Sequence, residues 1–342
     1  MTTLRLPRFG SLRARVSGLW RSDASESTAI PVRDWINVSS GAPARLLAFD
    51  QALLCIVLAL LALGLVMVYS ATRRFDGGAG VVARQAVFVA VGVVAMAVVS
   101  LVDYRRIADW WPLIYAGGIV LLLGVLTPLG STVNGTRGWY QFGPVVLQPA
   151  EMGKLATIVA VASFLGAVDR VDLPRLAAAL GLIGAPVILT LMQPDLGSAL
   201  VFIVAGLGML VVAGVKLRHL AVLLLLGVAA VFAILSSDTL DQYQKDRLLS
   251  FASPDSVSEE AVYNVRQAQT AISSGGLTGY GFGKGPSTRL GYVPAQQTDF
   301  IFTVAGEEFG FVGAGTLVLL YAVMVWRIWR NAQMASDQMG VL

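Results

Sequence analysis

Charge is scarce in this chain of 342 residues: acidic and basic side chains together make up 13% of it, about half the share of an ordinary soluble domain. That excludes a plain cytosolic enzyme. The one cysteine, Cys55, lies inside an apolar run, so there is no intrachain disulfide and no thiolate cluster for zinc or iron. The one histidine, His219, sits beside Arg218, which argues against a His-ligated metal centre and a Ser-His-Asp triad. Alternating glycines at Gly279, Gly281, Gly283 and Gly285 have no strand before them and no lysine in a Walker position, so they do not read as a nucleotide loop. The formal net charge is +4, from 25 Lys and Arg spread along the chain. That pattern reflects membrane topology and gives no nucleic-acid partner.

What is abundant is apolar sequence, at 56% hydrophobic with a mean hydropathy of +0.71. It falls in runs of roughly 17 to 25 residues, the length of a helix crossing a bilayer core. The runs near 51–70, 86–102, 110–129, 151–168, 174–192, 196–215, 219–237 and 301–326 predict an all-α, polytopic transmembrane bundle of about eight spans. Residues 1–49 hold seven arginines and no apolar run, which reads as a disordered, basic cytoplasmic tail ahead of a membrane domain at 50–342. Basic pairs at Arg105 and Arg106, Arg170 and Arg175, Lys216 and Arg218, and Arg327 and Arg330 flank the ends expected inside. Their bias puts the amino terminus in the cytoplasm of a multi-pass membrane protein. No internal repeat is evident.

Two outer segments are where chemistry is expected: Gly130 to Ala150, and a long extracytoplasmic loop at 236–300. The long loop joins a charged stretch (Asp238, Asp241, Lys245, Asp246, Arg247), a helix-like patch from Val262 to Ser273 and a glycine-rich run. In the shorter one, Arg137, Trp139, Gln148, Glu151 and Lys154 cluster at the mouth of a span. Glu151 and Lys154, three apart, share a helix face. They read either as a snorkelling ion pair or, with Arg137, as a cationic site for an anionic headgroup. Asp195 in QPDLG caps a helix or lines the cavity. Asp299, directly ahead of the last span and followed by Phe300, is an N-cap or a partly desolvated general base. Glu307 and Glu308 lie two turns further in, where adjacent acids cannot both face lipid and so turn toward the protein interior.

The segments MVYSAT from Met67, NGTRGWYQFGPVVLQPAEMGKL from Asn134, QPDLGSALVF from Gln193, AISSGGLTGYGFGKG from Ala271 and QTDFIFTVAGEEFGFVG from Gln297 together resemble the RodA/FtsW (SEDS) family. LVDYRR, TPLGSTVNG and VPAQQTDFIF look more like the elongation branch, RodA. The resemblance implies a peptidoglycan glycosyltransferase that polymerises lipid II at the outer face of the cytoplasmic membrane during elongation and shape maintenance. It also implies a class B penicillin-binding protein transpeptidase as partner and a divalent cation, Mg2+ or Mn2+. Carried over by motif, Asp299 falls at the family's essential acidic residue, which deprotonates the acceptor sugar 4-hydroxyl, and this tips the reading from cap to base. Arg137, Trp139, Gln148, Glu151, Lys154 and Asp195 become substrate-binding residues for lipid II and the undecaprenyl-pyrophosphate-linked glycan, set among membrane lipids. There are departures. Gly138 precedes Trp139 where relatives commonly carry a basic or polar residue, and Ala295 and Gln297 stand where many carry glutamate and histidine. The family usually has about ten spans, so eight implies that the C-terminal part of the fold is missing. The alternatives from other functional classes are a lipid II flippase and a non-catalytic scaffold for a transpeptidase.

Overall fold

The computed structural model describes residues 50–342, apart from 76, 134–135, 144, 169 and 237–258. The expected N-terminal tail, and the charged stretch from Asp238 to Arg247, lie outside the described residues.

Every expected span is a helix. In chain order these are α1 (Gln51–Thr72), α2 (Gly78–Leu101), the short α3 (Tyr104–Asp109), α4 (Trp111–Val125), α5 (Pro149–Gly166), α6 (Leu173–Leu191), α7 (Leu196–Val212) and α8 (Leu217–Ser236). After the long loop's own helix α9 (Glu259–Ser274) and short α10 (Pro286–Leu290) come α11 (Ile301–Gln333) and α12 (Gln338–Val341). Between α4 and α5, strands β1 (Ser131–Val133), β2 (Thr136–Phe142) and β3 (Val145–Leu147) form an antiparallel sheet in the order β1-β2-β3. Four helices, α1, α2, α6 and α11, are long and apolar enough to cross a membrane, while α4, α7 and residues 217–227 of α8 are apolar but shorter. α2 begins ahead of its expected start because Arg84 and Gln85 hide the continuing helix from a hydropathy reading. Val87, Val91, Val94 and Val98 on it are all more than half exposed, a surface that suits lipid and not water.

α5 is the hub. It packs against α4, α6, α7 and α12, and its small residues make this possible. Ala150, Gly153, Ala156 and Ala160 are buried; a side chain at Gly153 would press on Leu122 of α4 and Phe202 of α7. Small residues let helices approach closely where lipid gives no hydrophobic drive to pack them. Pro149 opens the helix at a position that needs no amide donor.

α11 is broken, and the break explains two of the motifs. At Gly310 the backbone leaves the helix (φ 64, ψ −160). The carbonyls of Glu307 and Glu308, released by the break, accept from the Tyr280 and Gly281 amides at 3.1 and 2.9 Å. Beyond it, the Phe311 and Val312 amides donate to the carbonyls of Gly276 and Leu277 at 2.9 and 3.1 Å. Irregular backbone at membrane depth is tolerated where protein satisfies it, and here the glycine-rich run supplies these four partners. A Cβ on Gly310 would collide with the Gly279 amide nitrogen. AISSGGLTGYGFGKG and TVAGEEFGFVG are two halves of one joint.

At the other end of the bundle, α12 folds back against α5, with Met339 lying over Gly166. Asp337 caps it by accepting from the Gly340 amide at 2.8 Å, and also accepts from Tyr104 Oη at 3.0 Å and Arg105 Nε at 2.9 Å. Desolvation works to raise the Asp337 pKa, but these donors outweigh it and hold the carboxyl below the usual aspartate value. A depressed carboxyl stabilises the fold above its unfolded pKa, and that contribution fades as pH falls through the lower folded value. Acidification below about pH 4 is therefore expected to release α12 first. Amide exchange at 338–342 that quickens ahead of the rest of the bundle would show it; uniform exchange would contradict it.

Candidate active site

Asp299 stands on a turn leading into α11, where the Ala295 carbonyl accepts from the Thr298 and Asp299 amides, both at 3.1 Å. The residue is exposed. The cap position of α11 is Phe300, with no side-chain cap bond, so the capping alternative for Asp299 is not realised.

Behind the turn is a buried polar network. Glu307 and Glu308 are fully buried, as the sequence required. Glu307 takes on the N-terminus of α10, whose cap residue, Gly285, offers no side chain. Its Oε1 accepts from the Ser287 amide at 2.6 Å, and its Oε2 from the Thr288 amide at 2.9 Å and the Thr288 hydroxyl at 2.7 Å. A carboxylate at a helix start is doubly suited, as acceptor and as negative charge. Glu308 Oε1 accepts from Ser70 Oγ of α1 at 2.6 Å. Just past α1, Arg73 donates to the Gly283 carbonyl, and Arg74 Nη1 to the Thr288 carbonyl at 2.8 Å. Burial draws the Arg74 guanidinium below the ordinary arginine pKa. Gln296 Nε2 donates to Thr288 Oγ1 at 2.9 Å and Thr303 Oγ1 at 3.1 Å.

The remaining expected residues gather around the start of α5. Lys154 Nζ meets Glu151 Oε1 at 2.7 Å, the i,i+3 pair read from the sequence. Gln148 Nε2 donates to Asp195 Oδ2 at 3.0 Å, while Asp195 Oδ1 accepts from the Ser198 amide at 3.0 Å. Asp195 is thus both a cap for α7 and a tie between α5 and α7. Lys154 also lines a narrow groove with Thr157, Val161, Val201, Phe202 and Met209, and is its one charged lining residue. Trp139 is half-buried in β2 opposite Ser131. Arg137 is exposed, and its Nη2 donates to the Thr127 carbonyl at 2.8 Å. Arg137 and Lys154 therefore have separate partners. Among the described residues, no hydrogen bond or ion pair joins Asp299 to any member of this second group.

Sequence reading passed over Ser70, Arg73, Arg74, Gln193, Thr288 and Gln296. Ser70, Gln193 and Gln296 lie inside quoted motifs, but the partners of the first two are distant in the chain. Gln193, fully buried, donates to the Leu122 carbonyl at 3.0 Å. Only the buried carboxylates signalled that donors had to exist somewhere.

The family model described as "Cell cycle protein", covering FtsW, RodA and SpoVE, matches residues 51–342. The chain belongs to this family. Among the relatives of this FtsW/RodA/SpoVE member is "Stage V sporulation protein E" of Bacillus subtilis, 34% identical over 300 residues, which cover 85% of this chain and 81% of that one. "Peptidoglycan glycosyltransferase MrdB" of Escherichia coli K12 is 34% identical over 286 residues, 83% and 76% of the two chains. Among solved structures, a chain from a peptidoglycan synthase complex that coordinates polymerization and crosslinking superposes with a TM-score of 0.70 at 28% identity, covering 86% and 81%. The rod shape determining protein RodA of Thermus thermophilus gives 0.61 at 28%, covering 86% and 78%. The fold is a polytopic membrane fold of the SEDS type.

Proposed function

We propose that this chain is a peptidoglycan glycosyltransferase that polymerises lipid II at the outer face of the cytoplasmic membrane, with its amino terminus inside. The observation that carries the reading is Asp299: an exposed carboxylate that caps nothing, on a turn anchored by a buried network. Relatives named as peptidoglycan glycosyltransferases at this level of identity support it. In this reading Asp299 accepts the proton of the acceptor sugar's 4-hydroxyl. That oxygen bonds to the anomeric carbon of the donor, and the bond to the lipid pyrophosphate breaks with its electron pair on the pyrophosphate. Lys154 offsets the departing charge. Glu151 holds the lysine, Gln148 and Asp195 tie the starts of α5 and α7, and Trp139 and Arg137 are read as further substrate contacts.

Among the described residues, no group of three or more His, Cys, Asp or Glu could hold a metal ion. Mg2+ needs less than that, being held by one or two carboxylates with substrate phosphates. Glu151, beside Lys154 on the pyrophosphate side, would be the carboxylate for such a shared arrangement, in which the cation would supply charge neutralisation. The proposed partner is a class B penicillin-binding protein transpeptidase, and the proposed role is elongation and shape maintenance.

The test is direct. Purified chain with a class B transpeptidase, given labelled lipid II, is expected to yield glycan polymer, and a chelator is expected to suppress it. Transbilayer movement of lipid II in vesicles without any polymer would replace this reading with the flippase.

A further inference from the structure

Asp299 is exposed, so the accuracy of its placement has to come from its neighbours in the turn. Ala295 is exposed at a φ of 49°, and Gln297 is half-buried. Neither side chain shares a hydrogen bond with the Glu307 network. Gln296, between them, is fully buried and bridges Thr288 and Thr303. Which amide atom makes the bridge is set by its partners. The Thr288 hydroxyl donates its proton to Glu307 Oε2, and the Thr303 hydroxyl donates its proton to the Phe300 carbonyl at 2.7 Å. Both hydroxyls can therefore only accept from Gln296, which must present its NH2 group. The chain of bonds runs unbroken from the buried Glu307 carboxylate through Thr288 and Gln296 to Thr303, on the first turn of α11.

We propose that Gln296 is a positioning residue for catalysis: its amide pins the Asp299 turn to both α10 and α11, and so sets where the carboxylate stands. The proposal rests on the reading of Asp299 as the base. Misplacing a reacting group by about 1 Å costs on the order of a hundredfold in rate, while groups that bind substrate elsewhere are left as they were. Gln296 touches no substrate in this scheme.

The experiment measures kcat and KM for labelled lipid II with the full chain and its transpeptidase partner, alongside the thermal midpoint in detergent. Gln296→Met fills the same space without a donor. It is expected to lower kcat by about tenfold to a hundredfold, with KM within about twofold. Thr303→Val, which removes one acceptor, is expected to lower kcat in the same way. The double variant is expected to be no worse than Gln296→Met alone, because Gln296→Met already removes the bond that Thr303→Val cuts. Thr303→Ser, keeping the hydroxyl, is expected to restore kcat. A wild-type kcat for Gln296→Met would overturn the proposal, as would additive losses in the double variant. Should Gln296→Met fail to fold, the contrast between Thr303→Val and Thr303→Ser decides in its place: equal kcat in the two overturns the proposal. Asp299→Asn is assayed beside them. If it polymerises normally, the base reading falls and takes this inference with it; if it is inactive while Gln296→Met is normal, only the positioning role is lost.

Discussion

Asp299→Asn is expected to abolish glycan polymerisation while leaving the protein folded. The substitution keeps the side chain's shape and removes its ability to take a proton. A positioned general base contributes about a hundredfold to ten-thousandfold, and loss of that order takes polymer below detection in a gel assay. Stability is expected to change little. Asp299 is exposed, and the helix it precedes is capped at Phe300 without a side-chain bond, so nothing structural depends on its carboxylate. Exposed substitutions of this kind usually stay within about 0.5 kcal/mol. The check is a pair of measurements on one preparation: glycan chain length from labelled lipid II, and the thermal midpoint in detergent. Polymer at the wild-type rate would end the assignment of Asp299 as base. A large fall in the midpoint would show instead that the turn depends on the carboxylate for its shape.

The membrane helices were legible because their signal is local. Apolar runs and their flanking charges are contiguous in sequence, and each predicted span coincides with a helix. The Glu151 and Lys154 pair was legible for the same reason, being one helix turn apart. The joint at Gly310 was not. Its two strings lie roughly thirty residues apart in the chain, and the bonds between them are between backbone atoms, which carry no sequence signature beyond the glycines that permit close approach. The partners of Glu308 and Glu307 show the same limit. Ser70 lies 238 residues from Glu308 in the chain, so burial of the acids could be predicted and the identity of their donors could not. For Arg137 and Lys154, a shared electrostatic purpose was inferred from proximity in sequence. The hairpin between them gives each its own partner, Thr127 for one and Glu151 for the other.

Glu307→Ala is expected to undo the site from the inside. The carboxylate accepts three hydrogen bonds on one short segment, from the Ser287 amide, the Thr288 amide and the Thr288 hydroxyl. The hydroxyl can rotate to a new acceptor, but the two amides cannot. The buried Thr288 amide left without an acceptor costs about 1 to 3 kcal/mol and the part-buried Ser287 amide somewhat less, so the loss is roughly 2 to 4 kcal/mol. That is a large part of the 5 to 15 kcal/mol that typically separates folded from unfolded. Glu307→Gln is expected to rescue little. Whichever oxygen becomes NH2 meets a donor, since Oε1 faces the Ser287 amide and Oε2 faces both Thr288 donors. The contrast with Asp299 gives the test its power, because both substitutions remove one acid and both are expected to stop polymerisation, for different reasons. Glu307→Ala is expected to lower the thermal midpoint and speed amide exchange through 286–299, whereas Asp299→Asn is expected to do neither. A Glu307→Ala protein with wild-type exchange in that segment would show that α10 and the turn bearing Asp299 are held by Arg73, Arg74 and Gln296 without help from the buried carboxylate.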